Sequence, residues 1–430
     1  DVLAEALTTA DFLEPVPVLR NLSRGSNKGG DAKQDVALNQ PKALPLIDGD
    51  GYLYCSDVAN NHAYVPSLNY GPSDDQSYYA RCYISSTTSG NFYPFSTRAD
   101  TIGGLSLFIR ETGSFSIIVG GITKLTADAS SIPRDQEFDF LITYNGSTNK
   151  VNVYIDDVTL VNDLTVTVGT WNSTTPFFIG ARGTSTTDYT LSTLNVSAYF
   201  KKVKAFSSVV TPSTVDTATP SLNIDFTATN VRHGDTKFKC ATGQVVTINQ
   251  AGNDPATVIK KSVLRFDGTN DGLQGLFANN INGGYMFAAF SVLGDGGEGY
   301  GRVFTTSLAG TGNDYDGTGA AFSLRNASTV NLSTIASGGT VNIQGDMFDD
   351  ARGDILHVVK IENESQTSDV NNASFLTNNR TTAINSDEFN IAFDNASSSS
   401  ACIDLEYLAL FPATITDAQA DSVRNYINNR

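Results

Sequence analysis

Few residues of this 430-residue chain are of a type and spacing that could do chemistry. His62, His233 and His357 are scattered and give no metal-ligand or triad spacing, and there is no G-x-S-x-G elbow. Glu137-Phe138-Asp139 and Asp404-Leu405-Glu406 alternate, so each pair of acids would share one face of a strand. Two carboxylates flanking one bond is the arrangement glycoside hydrolysis requires. Asp48-Gly49-Asp50-Gly51 and Asn313-Asp314-Tyr315-Asp316-Gly317 resemble fragments of calcium loops. Neither carries the further spaced ligands or the terminal Glu. Turns without metal are therefore expected, and if Ca2+ binds anywhere, Asp314 and Asp316 are the first ligands to test. Gly294 to Gly299 spells G-x-G-x-x-G, but a strand signal follows it, so it offers phosphate no helix N-terminus and reads as a loop. Sugars need an aromatic face and nearby amides or carboxylates. Tyr300 and Tyr315 lie in Gly/Asp-rich loops, and Trp171, the only Trp, adjoins Asn172. Each of these rings would serve equally as a packed surface aromatic.

The elements that must position these residues are strands. Only 17% of residues are charged, Gly numbers 37, and 24 Phe and 17 Tyr supply bulk for two cores. Val151, Val153 and Ile155 alternate with polar neighbours, the pattern of a half-buried strand. Asn145 to Asn149 reads as the hairpin loop before it. Residues 1–45, punctuated by Pro15, Pro17, Pro41 and Pro45, have little to bury and read as an extended arm. The Thr/Pro/Ser stretch 211–220 reads as a linker. Leu222, Ile224 and Phe226 would then open a second β-rich unit. At its end Thr416 and Gln419 have capping-box spacing, with Ala420, Val423 and Ile427 on one helix face.

A net charge of −17 disfavours nucleic acid and anionic membrane as partners, and no apolar run is long enough to span a bilayer. Cys55, Cys82, Cys240 and Cys402 show no C-x-x-C spacing and read mostly as small buried residues, with pairing inside each unit left open.

One phrase occurs twice. Leu264-Arg265-Phe266-Asp267-Gly268-Thr269-Asn270-Asp271 opens one β-rich stretch, and Tyr52-Leu53-Tyr54-Cys55-Ser56-Asp57 with Asn60-Asn61 opens another. Phe266 to Asp271 is similar to the F-D-G-x-N-D strand of concanavalin A-like, laminin-G-type domains. Tyr154-Ile155-Asp156-Asp157 resembles their Y-x-D-G turn. Phe177 to Gly180, and more loosely Phe389 to Ala392, resemble a later apolar-x-I-G strand. Leu405 to Phe411 and the segment from Thr416 resemble the closing strand and helix. The second copy shows no clear Y-x-D-G. The resemblance implies an all-β chain of two concanavalin A-like jelly-roll sandwiches with an extended N-terminal arm and a short C-terminal helix. The expected division is arm 1–45, first sandwich 46–210, linker 211–220, second sandwich 221–430.

Hydrolases on that fold carry E-x-D-x-E on one strand. Here Leu141 stands where the third acid of the first match should be, and Cys402 where the first acid of the second should be. No catalytic residue, metal site or cofactor is therefore expected. The opening of the first repeat is also similar to laminin-G-like domains of bacteriophage virion proteins. That resemblance implies a non-enzymatic capsid decoration or tail-fibre component, extracellular on the virion surface. It would dock on other virion proteins through residues 1–45, assemble as a homo-oligomer and bind host-surface glycan through Trp171, Tyr300, Tyr315, Asp314 and Asp316. A purely structural virion protein and a secreted polysaccharide hydrolase are the alternatives.

Overall fold

The computed structural model describes residues 18–19, 32–33, 42–55, 62–86, 92–99, 102–110, 114–127, 132–182, 197–234, 237–248, 257–294, 301–307, 320–325, 331–336, 340–344, 354–362, 365–371, 373–379, 385–393, 400–412 and 415–429. These residues form antiparallel sheets and one α-helix, divided between two units. One unit is residues 46–260, the other residues 1–45 together with 261–430.

In the 46–260 unit, one sheet runs in the order Val158–Thr165, Lys150–Ile155, Glu137–Asn145, Gln76–Ile84, Ala198–Phe206, Tyr52–Cys55, Thr257–Ile259, with Leu222–Asp225 also pairing Ala198–Phe206. Its companion runs Ile122–Ala127, Phe115–Val119, Ile102–Ile109, Phe95–Ala99, Phe177–Ile179, Ala63–Val65, Val245–Ile248, Lys237–Lys239. From Tyr52 to Ala99 the chain alternates between the two sheets, which is the jelly-roll path expected from the resemblance. Side chains alternate as the sequence predicts: Val151, Val153 and Ile155 are buried, Asn152 and Tyr154 less so. The strand turns back through Asp156 and Asp157, at φ 46° and 66°, a two-residue hairpin with both central residues left-handed. Between the sheets Tyr78 meets Phe95 and Phe177 edge-on at 5.5 and 5.1 Å, and Phe95 meets Phe140 at 5.5 Å. Each of these rings is fully buried, a contribution of roughly 1.5–3 kcal/mol apiece.

Among the described residues the other unit repeats this plan strand for strand, apart from Leu222–Asp225. One sheet runs Ala373–Asn379, Ser365–Val370, Asp354–Ile361, Gly284–Gly294, Cys402–Pro412, Val263–Asp267, Lys42–Leu44. The second runs Thr340–Gln344, Asn331–Ala336, Ala320–Arg325, Arg302–Ser307, Ser386–Ile391, Leu273–Ile281, Ala32–Lys33, Val18–Leu19. The hairpin that had no clear Y-x-D-G signature turns at Asn371, with φ 50°. Asn tolerates the left-handed region as the Asp residues of the first copy do. Ala392 stands where the first copy has Gly180, and both have positive φ, 64° and 80°. The helix Asp417–Asn428 carries the expected capping box between Thr416 and Gln419, and Ala420 and Ile427 are its buried residues.

Two boundaries differ from the sequence reading. Residues 211–220 do not separate domains. Thr211 caps a 3-10 turn at Pro212–Thr214, and Val210 and Val215 pack on Tyr79, Leu141 and Phe206 of the 46–260 unit. Leu222, Ile224 and Phe226 join the core of that same unit, because Leu222–Asp225 pairs with its closing strand. The change of unit falls at 260/261. The described parts of residues 1–45 are likewise strands of the 261–430 unit. Lys42–Leu44 is an edge strand of the 261–430 unit, and Ala32–Lys33 and Val18–Leu19 extend its second sheet. An open sheet edge is a template for a further strand, and composition does not reveal which edge is open.

Candidate functional site

One end of the 46–260 unit gathers the turns 66–75, 120–121 and 145–149 and the connection 166–176. Trp171 stands among them, half-buried. Its indole N–H donates to the Tyr70 carbonyl at 2.7 Å, and its ring lies against Tyr144 with centroids 5.9 Å apart and planes 26° apart. Glycines let the backbone come close enough for this. A Cβ at Gly104 would press on the indole, and one at Gly169 would overlap the Gly120 carbonyl. Gly120 has φ 54°, a conformation that glycine adopts without penalty.

Hydrogen bonds fix the surrounding turns. Tyr144 donates to the Pro72 carbonyl at 2.6 Å and lies 2.8 Å from Asn149 Oδ1. The Gly71 N–H donates to Asp74 Oδ2 at 2.6 Å, and the Gly146 N–H to Asp75 Oδ1 at 3.0 Å. Ser67 donates to the Ser173 carbonyl, tying the first turn to the Trp171 connection. The Asn172 amide oxygen accepts from Thr174 N at 2.9 Å. Burial raises the Tyr70 hydroxyl above its ordinary pKa, with Asp74 adding to the rise. Tyr144 is raised by burial and by Asp75. Both phenols are therefore neutral at physiological pH. Tyr144 is fully buried, so what the cluster can present is the partly exposed Trp171 and Tyr70 rings with amides and carboxylates on a held backbone, a set that suits a polyhydroxylated ligand.

Of the five residues expected from sequence to bind ligand, only Trp171 lies among the described residues. Tyr300, Asp314, Tyr315 and Asp316 lie outside them. Tyr70, Tyr144 and Asp74 were missed by sequence reasoning. Tyr70-Gly71-Pro72-Ser73-Asp74 is itself a turn signature with an aromatic at its head, which was the available signal.

The carboxylate pairs are each held by cations. Arg81 donates to both oxygens of Asp139, at 2.8 and 2.7 Å, and its Nε lies 3.8 Å from Glu137. Lys201 Nζ is 2.9 Å from Glu137 and 3.4 Å from Asp48. In the other unit Arg265 grips both oxygens of Asp404 at 2.7 Å, with the side chains 1% and 0% exposed. Asp404 is thus beyond a substrate's reach, and Glu406 is 3.0 Å from Lys261. The Asp48–Gly49 turn is a tight hairpin with φ 55° and 80°, and its carboxylates face the Lys201 ammonium. That ammonium supplies the positive charge a calcium ion would bring. Among the described residues no three His, Cys, Asp or Glu converge as metal ligands would. His62, His233 and His357 are buried in separate places. All four cysteines are buried and none forms a disulfide; Cys55, Cys82 and Cys240 lie in the 46–260 unit. No helix among the described residues is long and apolar enough to cross a membrane.

No family model matches this chain, and no curated protein does. Solved structures show distant likeness. A carbohydrate-binding protein of Bacteroides ovatus, so described provisionally, is 15% identical over 50% of this chain and 61% of its own, with a TM-score of 0.35. This chain thus covers less than two thirds of that protein's length. Domains LG4-5 of the mouse laminin α1 chain are 11% identical over 86% and 92%, with a TM-score of 0.29. A SAP-like pentraxin of Limulus polyphemus is 14% identical over 47% and 97%, with a TM-score of 0.32. Likeness at this level does not extend to ligand or activity.

Proposed function

We propose that this chain is a non-enzymatic carbohydrate-binding protein that takes glycans at the Trp171 end of its 46–260 unit. The observation that carries the reading is the half-exposed Trp171 ring, fixed by Tyr70 and Tyr144, with Asp74 and Asn172 in the turn and connection that hold it. A preorganised aromatic platform loses little entropy on binding, and adjacent amides and carboxylates match sugar hydroxyls. Binding needs no cofactor and no Ca2+ in this reading. The finer proposal is a virion-surface adhesin, a capsid decoration or fibre component facing host glycans. It draws on the sequence resemblance of the first repeat. Multivalent display would let weak sites suffice.

One observation favours a second reading, a purely structural protein without a glycan site. The Trp171 N–H and one ring face are already satisfied inside the molecule. Because Trp171 is the only tryptophan, its fluorescence separates the two readings without mutation. Full-length protein would be screened on a glycan array with and without EDTA, and each retained glycan titrated while tryptophan emission is recorded. Saturable binding that shifts the emission, unchanged by EDTA, is the expected result. Retained glycans that leave the emission unmoved would remove Trp171 as the site. Retention of none would favour the structural reading.

A further inference from the structure

The lead strands of the two repeats are exchanged. Lys42–Leu44 lies only seven residues before Tyr52–Cys55, yet it pairs with Val263–Asp267, in the register Leu44↔Val263, Ala43↔Leu264, Lys42↔Arg265. Thr257–Ile259 lies three residues before Val263, yet it pairs with Tyr52–Cys55, in the register Ile259↔Tyr52, Val258↔Leu53, Thr257↔Tyr54. Leu53 and Leu264 are counterparts, because each is paired with the closing strand at the corresponding place, Phe200 and Leu405. The two slots therefore receive their lead strands in one common register. Each sandwich is completed by the segment that precedes the other.

The two exchanges are not held equally. On the 46–260 unit, the Lys260 ammonium donates to the carbonyls of Phe226, Thr227 and Ala228 at 3.2, 2.8 and 2.9 Å. Its backbone N–H donates to His233 Nδ1 at 3.2 Å. Phe238, Val246 and Ile248 of the same lead segment enter the core. On the 261–430 unit the position matching Lys260 is Pro45, which has neither the ammonium nor an N–H. The strand Ala32–Lys33 joins its sheet at a single register pair, Lys33↔Gln274. Pro41 and Pro45 bracket Lys42–Leu44, and proline favours the extended backbone that a releasable strand needs.

We infer that the lead strands Val18–Leu19, Ala32–Lys33 and Lys42–Leu44 form an exchangeable donor segment and that a second copy of this chain is the partner it fits. The slot along Val263–Asp267 accepts the lead strand of its own chain or, with the same register and hydrogen bonds, that of another. Such an exchange makes no new contact, so its equilibrium is set by concentration. A tethered segment has an effective concentration of about 1 mM, and crowding copies to that level, as on a particle surface, shifts the segment to neighbours. The 237–260 segment stays with its own chain.

The test uses full-length chains. One copy carries Ala43→Cys and another Leu264→Cys. Directly paired antiparallel residues have Cα atoms about 4.5–5.5 Å apart, within disulfide reach. Mixing the two at rising concentration and oxidising should give a cross-linked dimer by mass, absent from either variant alone, with a yield that grows with concentration. The double variant in one chain, diluted, should close its link internally. Should the substitutions impair folding, 15N-labelled and unlabelled wild-type protein mixed near 1 mM would be read by native mass spectrometry for mixed-mass dimers. Mixed dimers support exchange. A mixture that stays monomeric in both experiments while the double variant closes its own link would overturn it.

Discussion

Two outer faces, one on each repeat, are built on one backbone plan and differ in almost every side chain. Strand register equates Tyr54 and Tyr199 of the 46–260 unit with Arg265 and Asp404 of the other. Two buried tyrosines paired in register in one place are a buried ion pair in the other. The next position on the closing strand sits at a β-bulge in both copies, Lys201 in one and Glu406 in the other. Lys201 faces Asp50 at 4.0 Å, and Glu406 faces Lys261 at 3.0 Å. The charges have changed sides together. Arg81 and Asp139, partly exposed partners, correspond to Ala289 and Leu356, which lie under the C-terminal helix with Ala420 and Ile427. The segment in the helix's place on the first repeat is a single 3-10 turn. The lesson is that outer-face chemistry follows the length of the element that covers it. A twelve-residue helix shields an apolar face, and a one-turn cover leaves an ion pair in reach of water.

The largest break in this comparison is Arg265→Ala. It would strand Asp404, which is 0% exposed, without its cation, and about 3–5 kcal/mol of stability should be lost. Converting the site to the other repeat's chemistry, Arg265→Tyr with Asp404→Tyr, should recover much of that loss. Urea denaturation of the single and double variants checks the order. A double variant no more stable than the single one would show that the two faces are not interchangeable.

A smaller effect separates the cores. His357 faces the interior where the first repeat has Phe140. Burial lowers its pKa from 6.5 to about 3. The folded state thus resists a proton that the unfolded state accepts below about pH 6.5, so stability falls as pH drops through the window from 6.5 toward 3. Between pH 7 and pH 5 the loss from this one group should be about 2 kcal/mol. His357→Phe should flatten that part of the profile, read by denaturation at the two pH values. An unchanged slope would assign the effect elsewhere.

The smallest expected effect sharpens the account of the covers. Thr416→Ala removes the cap of the C-terminal helix and should cost about 1 kcal/mol in thermal or chemical melts. Thr211→Ala, at the cap of a single turn, should cost less. Equal costs would mean that cover length does not set how much each cap contributes.

Much of the scaffold was legible in the residues alone. Val151, Val153 and Ile155 announced a strand, and Thr416 with Gln419 announced the last helix, because these signals are local. The duplicated phrase at Tyr52 and Leu264 announced two copies of one sandwich. The candidate site was only partly legible. Trp171 stood out by being unique, whereas Tyr70 and Tyr144 join it from positions 101 and 27 residues away in sequence. The half-motifs at Glu137 and Asp404 were only partly legible for the same reason. Spacing along a strand shows that two acids share a face, but Arg81, Lys201 and Arg265 come from other strands. The sequence by itself determined an all-β chain, its two repeats, its turns and its closing helix, since periodicity and turn chemistry act within a few residues. Only the tertiary structure decided which sandwich each lead strand completes, where one unit gives way to the next and which cation holds each carboxylate. Those choices are made by hydrogen bonds and contacts across sheet neighbours. Equivalent slots on two like sandwiches cannot be told apart from the strands that fill them.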